Sequence, residues 1–349
     1  MGVKRDKKDI RLLSIQELRD FFIENDFRAF RGDQVYRWLW KKGVHDFKVM
    51  SNLSKSMRDL LEESFIINNI RNDRLLKSKD GTIKNAIKLF DNLIVESVLI
   101  PSANRSTACV SSQVGCSLDC KFCATAKIKR MRNLNADEIY DQVVLMDKQS
   151  RNYFGRPLSN IVFMGMGEPL MNYNNLMKSI DKITQSKGLN ISPSRITVST
   201  SGIPKMINKM ADEGVKFRLA VSLHSARQTI REKLMPFAKK FPLHQLAKSI
   251  QNWYSKLSKP ITYEYIVWKG INDREEDISA LITFCRLVPC KVNLIEYNSI
   301  GDKKFLNADK NIITNYQLAL KNSGIIVTIR NSRGEDINAA CGQLANIMN

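Results

Sequence analysis

The chain has 349 residues, 43% of them hydrophobic, which is enough for a substantial core and predicts about two domains. No stretch reaches the ~18 uninterrupted apolar residues that a membrane-spanning helix needs. Lys and Arg number 55 against 35 Asp and Glu, a net charge of +20; a polyanionic partner is expected, nucleic acid ahead of a membrane surface because no long basic amphipathic helix dominates. The competing reading is a merely solvated basic surface.

Residues up to about Asn72 read as helical. Ser14 and Glu17 form a capping box ahead of Leu18, Phe21 and Phe22, a second periodic stretch runs Val35 to Trp40, and a third covers Leu53 to Leu61. Arg28, Arg31, Arg37, Lys41 and Lys42 interleave with Phe27, Phe30, Tyr36, Trp38 and Trp40, a mixture suited to phosphate contacts and base stacking, although rings at helical spacing also fill small cores. The turn Lys79-Asp80-Gly81 and a strand from Asn92 to Pro101 suggest a β extension. Strand-like runs then follow at Ala108–Ser112, Asn160–Gly165, Arg195–Thr200, Phe217–Leu223, Ile261–Val267, Lys291–Glu296 and Ile325–Ile329. Amphipathic helices separate most of them: one opened by the Asn135/Glu138 capping box, others near Asn174–Thr184, Leu243–Tyr254 and Glu275–Leu287. This α/β alternation predicts a parallel sheet with helices outside, open or barrel-like, whose reactive groups collect at the C-terminal strand ends. The domains expected are 1–72, helical and RNA-binding; 73–101, the β extension; and 102–349, the α/β core.

Cys116, Cys120 and Cys123 follow the first of these strands, spaced three and then two residues apart. A structural zinc takes four protein ligands, so three thiols suggest a [4Fe–4S] cluster with one iron left open; zinc with Cys109 or His224 as fourth ligand is the alternative. Disulfides fit poorly, because neighbouring thiols this close are bad partners, seven cysteines is an odd count, and Met1 is followed by charged residues instead of an apolar signal stretch. A cytoplasmic location is expected.

Gly165-Met166-Gly167-Glu168-Pro169 ends the next strand and could cradle a ligand's backbone approach and ammonium group. Ser199-Thr200-Ser201-Gly202 and Ser222-Leu223-His224 end the two strands after it, with short hydroxyls that serve either a ligand or turn capping. Cys285 and Cys290 read as buried, inert thiols. Spacing alone makes Cys109 and Cys341 structural as well.

The cysteine spacing resembles the signature of the radical S-adenosylmethionine (SAM) superfamily, and the longer strings resemble one family within it. Phe-Arg-Ala-Phe-Arg-Gly-Asp-Gln near the N-terminus, Val95 to Pro101, the cluster loop, Gly-Met-Gly-Glu-Pro, and Ala339-Ala340-Cys341-Gly342-Gln343-Leu344 are similar to the RlmN family across nearly the whole chain. The resemblance implies a partial (β/α) barrel of the radical SAM type and methylation of adenosine carbon 2 in 23S rRNA and tRNA. It implies a [4Fe–4S] cluster on Cys116, Cys120 and Cys123, whose electron splits the SAM sulfonium to a 5′-deoxyadenosyl radical. By the same resemblance Cys341 carries a methyl group to the base and Cys109 removes the carbon 2 proton and forms a transient disulfide with Cys341. Glu96 matches a proton-acceptor position, and Gly167, Glu168, Ser199, Ser222, Leu223, His224 and Asn298 match SAM-binding positions. An electron donor such as flavodoxin or ferredoxin, a monomer and no membrane partner are further expectations. Carbon 2 is electron-poor and lacks nucleophilicity, which is why a covalent relay would be needed.

Lys129, Glu296 and Asn338 stand where the family pattern has glycine, proline and aspartate, beside the motifs without replacing a thiol. The rival within the class is adenine-8 methylation of the Cfr type, from which Glu168-Pro169-Leu170, Ser199 to Gly202 and Arg333 to Asp336 differ. The rival outside it is a non-catalytic RNA-binding protein with a structural metal.

Overall fold

A computed structural model describes residues 7–345. The outermost residues of the expected domains 1–72 and 102–349, including Met1 and its charged followers, lie outside the described residues.

Three helices open the chain: α1 (Ile15–Glu24), α2 (Phe30–Trp40) and α3 (Lys55–Ser64). Both halves of the Ser14/Glu17 capping box form, satisfying backbone donors that an uncapped helix leaves open. At Gly32 any Cβ would stand 2.7 Å from the Arg19 amide, so glycine lets α2 cross α1 closely. The helices are not a detached module. Arg11 pairs with Asp141 at 2.7 Å and Asp137 at 3.0 Å on the first helix of the following domain, and the Tyr140 hydroxyl donates to the Trp40 carbonyl. Tyr36 and Trp40 are buried, so those two rings fill a core; Phe30 is exposed and Lys42 lies 3.2 Å above the Trp38 ring.

The main sheet has ten strands, and their order in space is their order in sequence. These are β1 (Arg71–Lys77), β2 (Ile83–Lys88), β3 (Ile94–Ser102), β4 (Arg105–Cys109), β5 (Asn160–Phe163), β6 (Ile196–Thr200), β7 (Arg218–Ser222), β8 (Ile261–Ile266), β9 (Cys290–Ile295) and β10 (Ile326–Arg330). β1 to β4 form an antiparallel meander and β4 to β10 run parallel. Right-handed crossovers between neighbours taken in sequence place every connecting helix on one side. Those helices are α4 (Ala136–Phe154), α5 (Tyr173–Thr184), α6 (Pro204–Asp212), α7 (Gln228–Leu234), α8 (Leu243–Leu257), α9 (Glu275–Cys285) and α10 (Lys310–Asn322). The sheet's other face is therefore left to close on itself, as a partial (β/α) barrel. The sequence reading did not single out α6, α7 or α10. In α10 only Tyr316 and Leu320 are buried, a stripe too narrow to stand out.

Strand periodicity divides the two faces. Tyr263 packs on Phe284 of α9 and Tyr265 on Tyr316 of α10, so odd positions of β8 face the helices. Glu264 and Ile266 then face inward, and register carries the same inner row through Cys109, Met164, Ser199, Ser222, Ile295 and Arg330. Much of that row is polar, unlike an ordinary core.

Candidate active site

The cluster loop leaves β4 through Ser111 and Ser112, pairs Gln113–Val114 with Arg132–Asn133, and turns at Gly115. Gly115 has φ +72° and its missing Cβ would lie 2.6 Å from the Lys129 carbonyl, so the turn needs glycine there. The loop leans on the end of α7, where the Lys121 amide donates to Leu234 and Asp119 accepts from the Phe237 amide. Cys116, Cys120 and Cys123 come within electrostatic reach of one another: burial pushes each thiol up, Cys116 to about 12, and the neighbouring sulfurs push Cys120 further. Among the described residues no three His, Cys, Asp or Glu side chains meet at a point suited to one metal ion. A cubane cluster does not ask for that, since its three thiolates hold three different irons. Three thiols on one loop, close enough for their charges to act on one another, are the donor set that a [4Fe–4S] group takes.

Cys120 and Cys123 line one end of a cavity on the concave side of the sheet, and strand tips form its remaining wall: Gly167 and Glu168 after β5, Ser199 at β6, Ser222 and His224 at β7, Glu264 at β8 and Arg330 at β10. Gly167 has φ +92°, and a Cβ there would meet Gln113 at 2.5 Å. Glu168 accepts from the Ser201 amide at 2.8 Å and the Leu170 amide at 3.1 Å. Burial raises its pKa against those hydrogen bonds, so it is a carboxylate short of a cation, suited to an ammonium. His224 accepts at Nδ1 from the Ile266 amide, 3.3 Å away. Burial, aided by Arg231, lowers it to about 3, so it is a neutral imidazole in the wall.

A second cavity adjoins the first and is lined by Cys109, Cys341, Val98, Asn298, Arg330 and Leu344 among others. Cys109 and Cys341, far apart in sequence, come together here. Burial raises Cys109 to about 12, and the Cys341 sulfur raises it too, while Arg330 works the other way. Cys341 remains open to solvent at the cavity.

Hydrogen bonds hold the segment that carries Cys341. Asp80 accepts from the Gly334 amide at 3.0 Å, Asp336 from the Lys79 amide at 3.2 Å, and Lys84 donates to the Asn338 carbonyl at 3.3 Å. Asn298 donates to the Cys341 carbonyl at 3.2 Å, the Ala124 amide to the Gly342 carbonyl at 2.7 Å, and the Ala345 amide to Glu96 at 2.9 Å. Gly334, with φ +67°, presses against Thr82 where a Cβ would clash. The β extension is thus a seat for the C-terminal segment.

Besides Cys109, which lines only the second cavity, and Cys116, which lines neither, three more expected residues lie elsewhere than the first cavity. Asn298 lines the second and holds the backbone of Cys341. Leu223 is fully buried behind the wall, its amide bonded to Glu264 and its carbonyl to Arg231. Glu96 lines neither cavity; it pairs with Lys84 at 3.0 Å beneath the C-terminal segment. Sequence reasoning missed Arg231, which ties the Ser201 and Ser222 carbonyls at 2.5 and 3.0 Å, and it missed Lys84, Glu264 and Arg330. Lys84 in Ile-Lys-Asn-Ala-Ile and Glu264 in Ile-Thr-Tyr-Glu-Tyr-Ile carried a signal: a charge inside an apolar strand is costly unless it is paired, so each called for a partner, Glu96 and Arg330 respectively. Cys290 donates to the Cys285 carbonyl at 3.4 Å, away from both cavities.

Comparison with known proteins shows the family. Residues 9–67 match the model of the ribosomal RNA large subunit methyltransferase N-terminal domain, and residues 110–282 that of the radical SAM superfamily. Curated relatives named "Probable dual-specificity RNA methyltransferase RlmN" include one from Flavobacterium psychrophilum, 64% identical over 98% of both chains, and one from Cytophaga hutchinsonii, 51% identical over 97% of this chain and 93% of the other. The crystal structure of a radical SAM methyltransferase from Sphaerobacter thermophilus superposes with TM-score 0.90 at 34% identity, covering 97% of this chain and 99% of that one. With fold, cysteine loop and full-length similarity in agreement, the chain belongs to the RlmN family of the radical SAM superfamily.

Proposed function

We propose that this protein methylates carbon 2 of adenosine in 23S rRNA and tRNA, as a SAM-dependent radical methyltransferase. The observation that carries the reading is the meeting of Cys109 and Cys341 beside the cavity that Cys120 and Cys123 also line. A merely structural metal site would have no use for a second pair of thiols there.

Cys116, Cys120 and Cys123 would hold the cluster, which when bound supplies the electron for cleaving SAM. Glu168 would receive the SAM ammonium, with Gly167 allowing close approach and Ser199, Ser222 and His224 lining the bound molecule; Leu223 and Asn298 support the walls from behind. Cys341 would carry the methyl group to the base. Cys109 would take the carbon 2 proton and join Cys341 in a disulfide as the adduct breaks, and a reductant would reset the pair. Cys109 is a neutral thiol at rest, held so by burial and by the Cys341 sulfur, and the cationic Arg330 near both sulfurs acts the other way, favouring its anion. The seating of Glu96 under Ala345 supports a fastening role over that of a proton acceptor. A flavodoxin or ferredoxin would supply electrons to a monomeric, cytoplasmic enzyme; no described helix is long and apolar enough to cross a membrane. The exposed Arg28, Arg37, Lys41 and Lys42 of the helical region would contact phosphates.

The test is anaerobic reconstitution with iron and sulfide, incubation with SAM, a reductant and either 23S rRNA or tRNA, and mass spectrometry of the digested nucleosides. 2-Methyladenosine supports the reading, and the tRNA arm decides dual specificity. 8-Methyladenosine moves the chain to the Cfr-type reaction. A Cys341→Ala variant should bind RNA as before and methylate none; if it methylates normally, the covalent relay is wrong.

A further inference from the structure

Among the residues lining the two cavities, Arg330 is the charged side chain common to both. It stands at the C-terminal end of β10 on the inner row, where its charge acts on Cys109 and Cys341 alike. One edge of its guanidinium is tied to Glu264 at 3.4 Å, and Glu264 is itself held by the Asn293 amide at 2.9 Å. About a third of the side chain is solvent-exposed, and it lines both cavities. A guanidinium offers five N–H donors and no acceptor. Only one is engaged by a protein group among the described hydrogen bonds.

Whatever base is methylated must bring its reacting carbon between the two sulfurs, and hence within reach of these donors. In adenine, carbon 2 is flanked by two ring acceptors, N1 and N3, with only a C–H between them. Guanine presents N1–H and an exocyclic amine on carbon 2 along the same edge, donors that a guanidinium opposes, and its one acceptor there, N3, stands next to that amine. Carbon 8 is flanked by a single acceptor, N7, because N9 carries the sugar.

We propose that Arg330 reads the target base, donating a hydrogen bond to a ring nitrogen beside carbon 2 of adenine, so that it selects adenine over guanine and sets carbon 2 between Cys109 and Cys341. The inference rests on the adenine-2 reading above. Glu264 is its positioning partner, and the pair accounts for a charged row inside the sheet that the cluster and SAM do not require.

The test is equilibrium binding by the reconstituted protein, with SAM but no reductant, of an RNA hairpin whose target position carries adenosine, 1-deaza-, 3-deaza- or 7-deazaadenosine. Loss of one charge-assisted hydrogen bond is expected to weaken binding roughly 10- to 100-fold. Either the 1-deaza or the 3-deaza hairpin should show that loss, which identifies the nitrogen. Arg330→Ala should weaken the adenosine hairpin by a similar factor and bind the deaza hairpins no worse than adenosine, with Arg330→Lys between the two. If Arg330→Ala alone unfolds, the double change Arg330→Met with Glu264→Leu removes both charges together and must show the same indifference. An Arg330 variant that still discriminates as the wild type does overturns the inference. So does a wild-type preference lost only with 7-deazaadenosine, which would place carbon 8 at the thiols. Failure of the wild type to make 2-methyladenosine is a separate result and sinks the parent reading instead.

Discussion

The two ends of the catalytic cleft are built differently. The cluster end is local: three thiols on one loop, then short turns that each follow directly from a strand, with Gly115 and Gly167 allowing the backbone to pass where a Cβ would clash. The thiol-pair end is assembled over long range. Cys341 reaches Cys109 only because a C-terminal segment lies across the antiparallel extension, fixed by Asp80, Lys84 and Glu96 from one side and by Ala124 and Asn298 from the other. A local site is set by backbone geometry, whereas this one depends on a few buried polar contacts. Damage should therefore take different forms at the two ends.

The sharpest break should come at the buried Lys84–Glu96 pair, whose side chains are 3% and 0% exposed. Glu96→Gln keeps the shape but leaves the Lys84 ammonium buried without a counter-charge, which costs about 3–5 kcal/mol. Thermal melting should fall clearly and methyl transfer with it, while bound iron, counted per folded protein, stays at the wild-type level. An unchanged melting temperature would mean that the clamp does not hold the segment.

Gly115→Ala is the converse at the cluster end. Its strain, of order 1–3 kcal/mol, falls on the loop itself. Iron and sulfide retained after reconstitution should drop while the fold persists by circular dichroism. Full iron loading in that variant would show that the loop adapts more freely than its geometry implies.

A milder contrast lies away from the cleft, where the helical region docks through Arg11. Asp9, Asp137 and Asp141 share this one cation. Burial, only partly offset by Arg11, raises Asp137 from 3.8 to about 7. A carboxyl whose pKa is higher folded than unfolded takes up a proton on folding, so its stabilising contribution is full below about pH 4 and is lost as pH rises through about 7. Melting followed between pH 5 and 8 should show stability declining over this range, and Asp137→Asn should flatten the decline. A variant with the wild-type slope would assign the titration to another group.

Much of this protein was legible in its sequence. The Cys-x3-Cys-x2-Cys spacing, the strand tips bearing Gly167, Glu168, Ser199 and Ser222, and the order of β/α units are short-range patterns, because a loop is positioned by the strand beside it and period-2 alternation marks which side chains share a face. The motif singled out Cys341, although its spacing made it look structural, and the structure sets it beside Cys109. What the sequence could not decide was which distant residues meet. Glu96, matched to a proton acceptor, is seated under the C-terminal segment; Arg330 stands between two thiols; and the helical region is pinned to α4 by Arg11 instead of standing free. The physical reason is that pairing buried charges across strands depends on how the sheet curls and which segment covers its inner face. Those are properties of the packed chain as a whole, whereas periodicity and turn chemistry are properties of a few neighbouring residues.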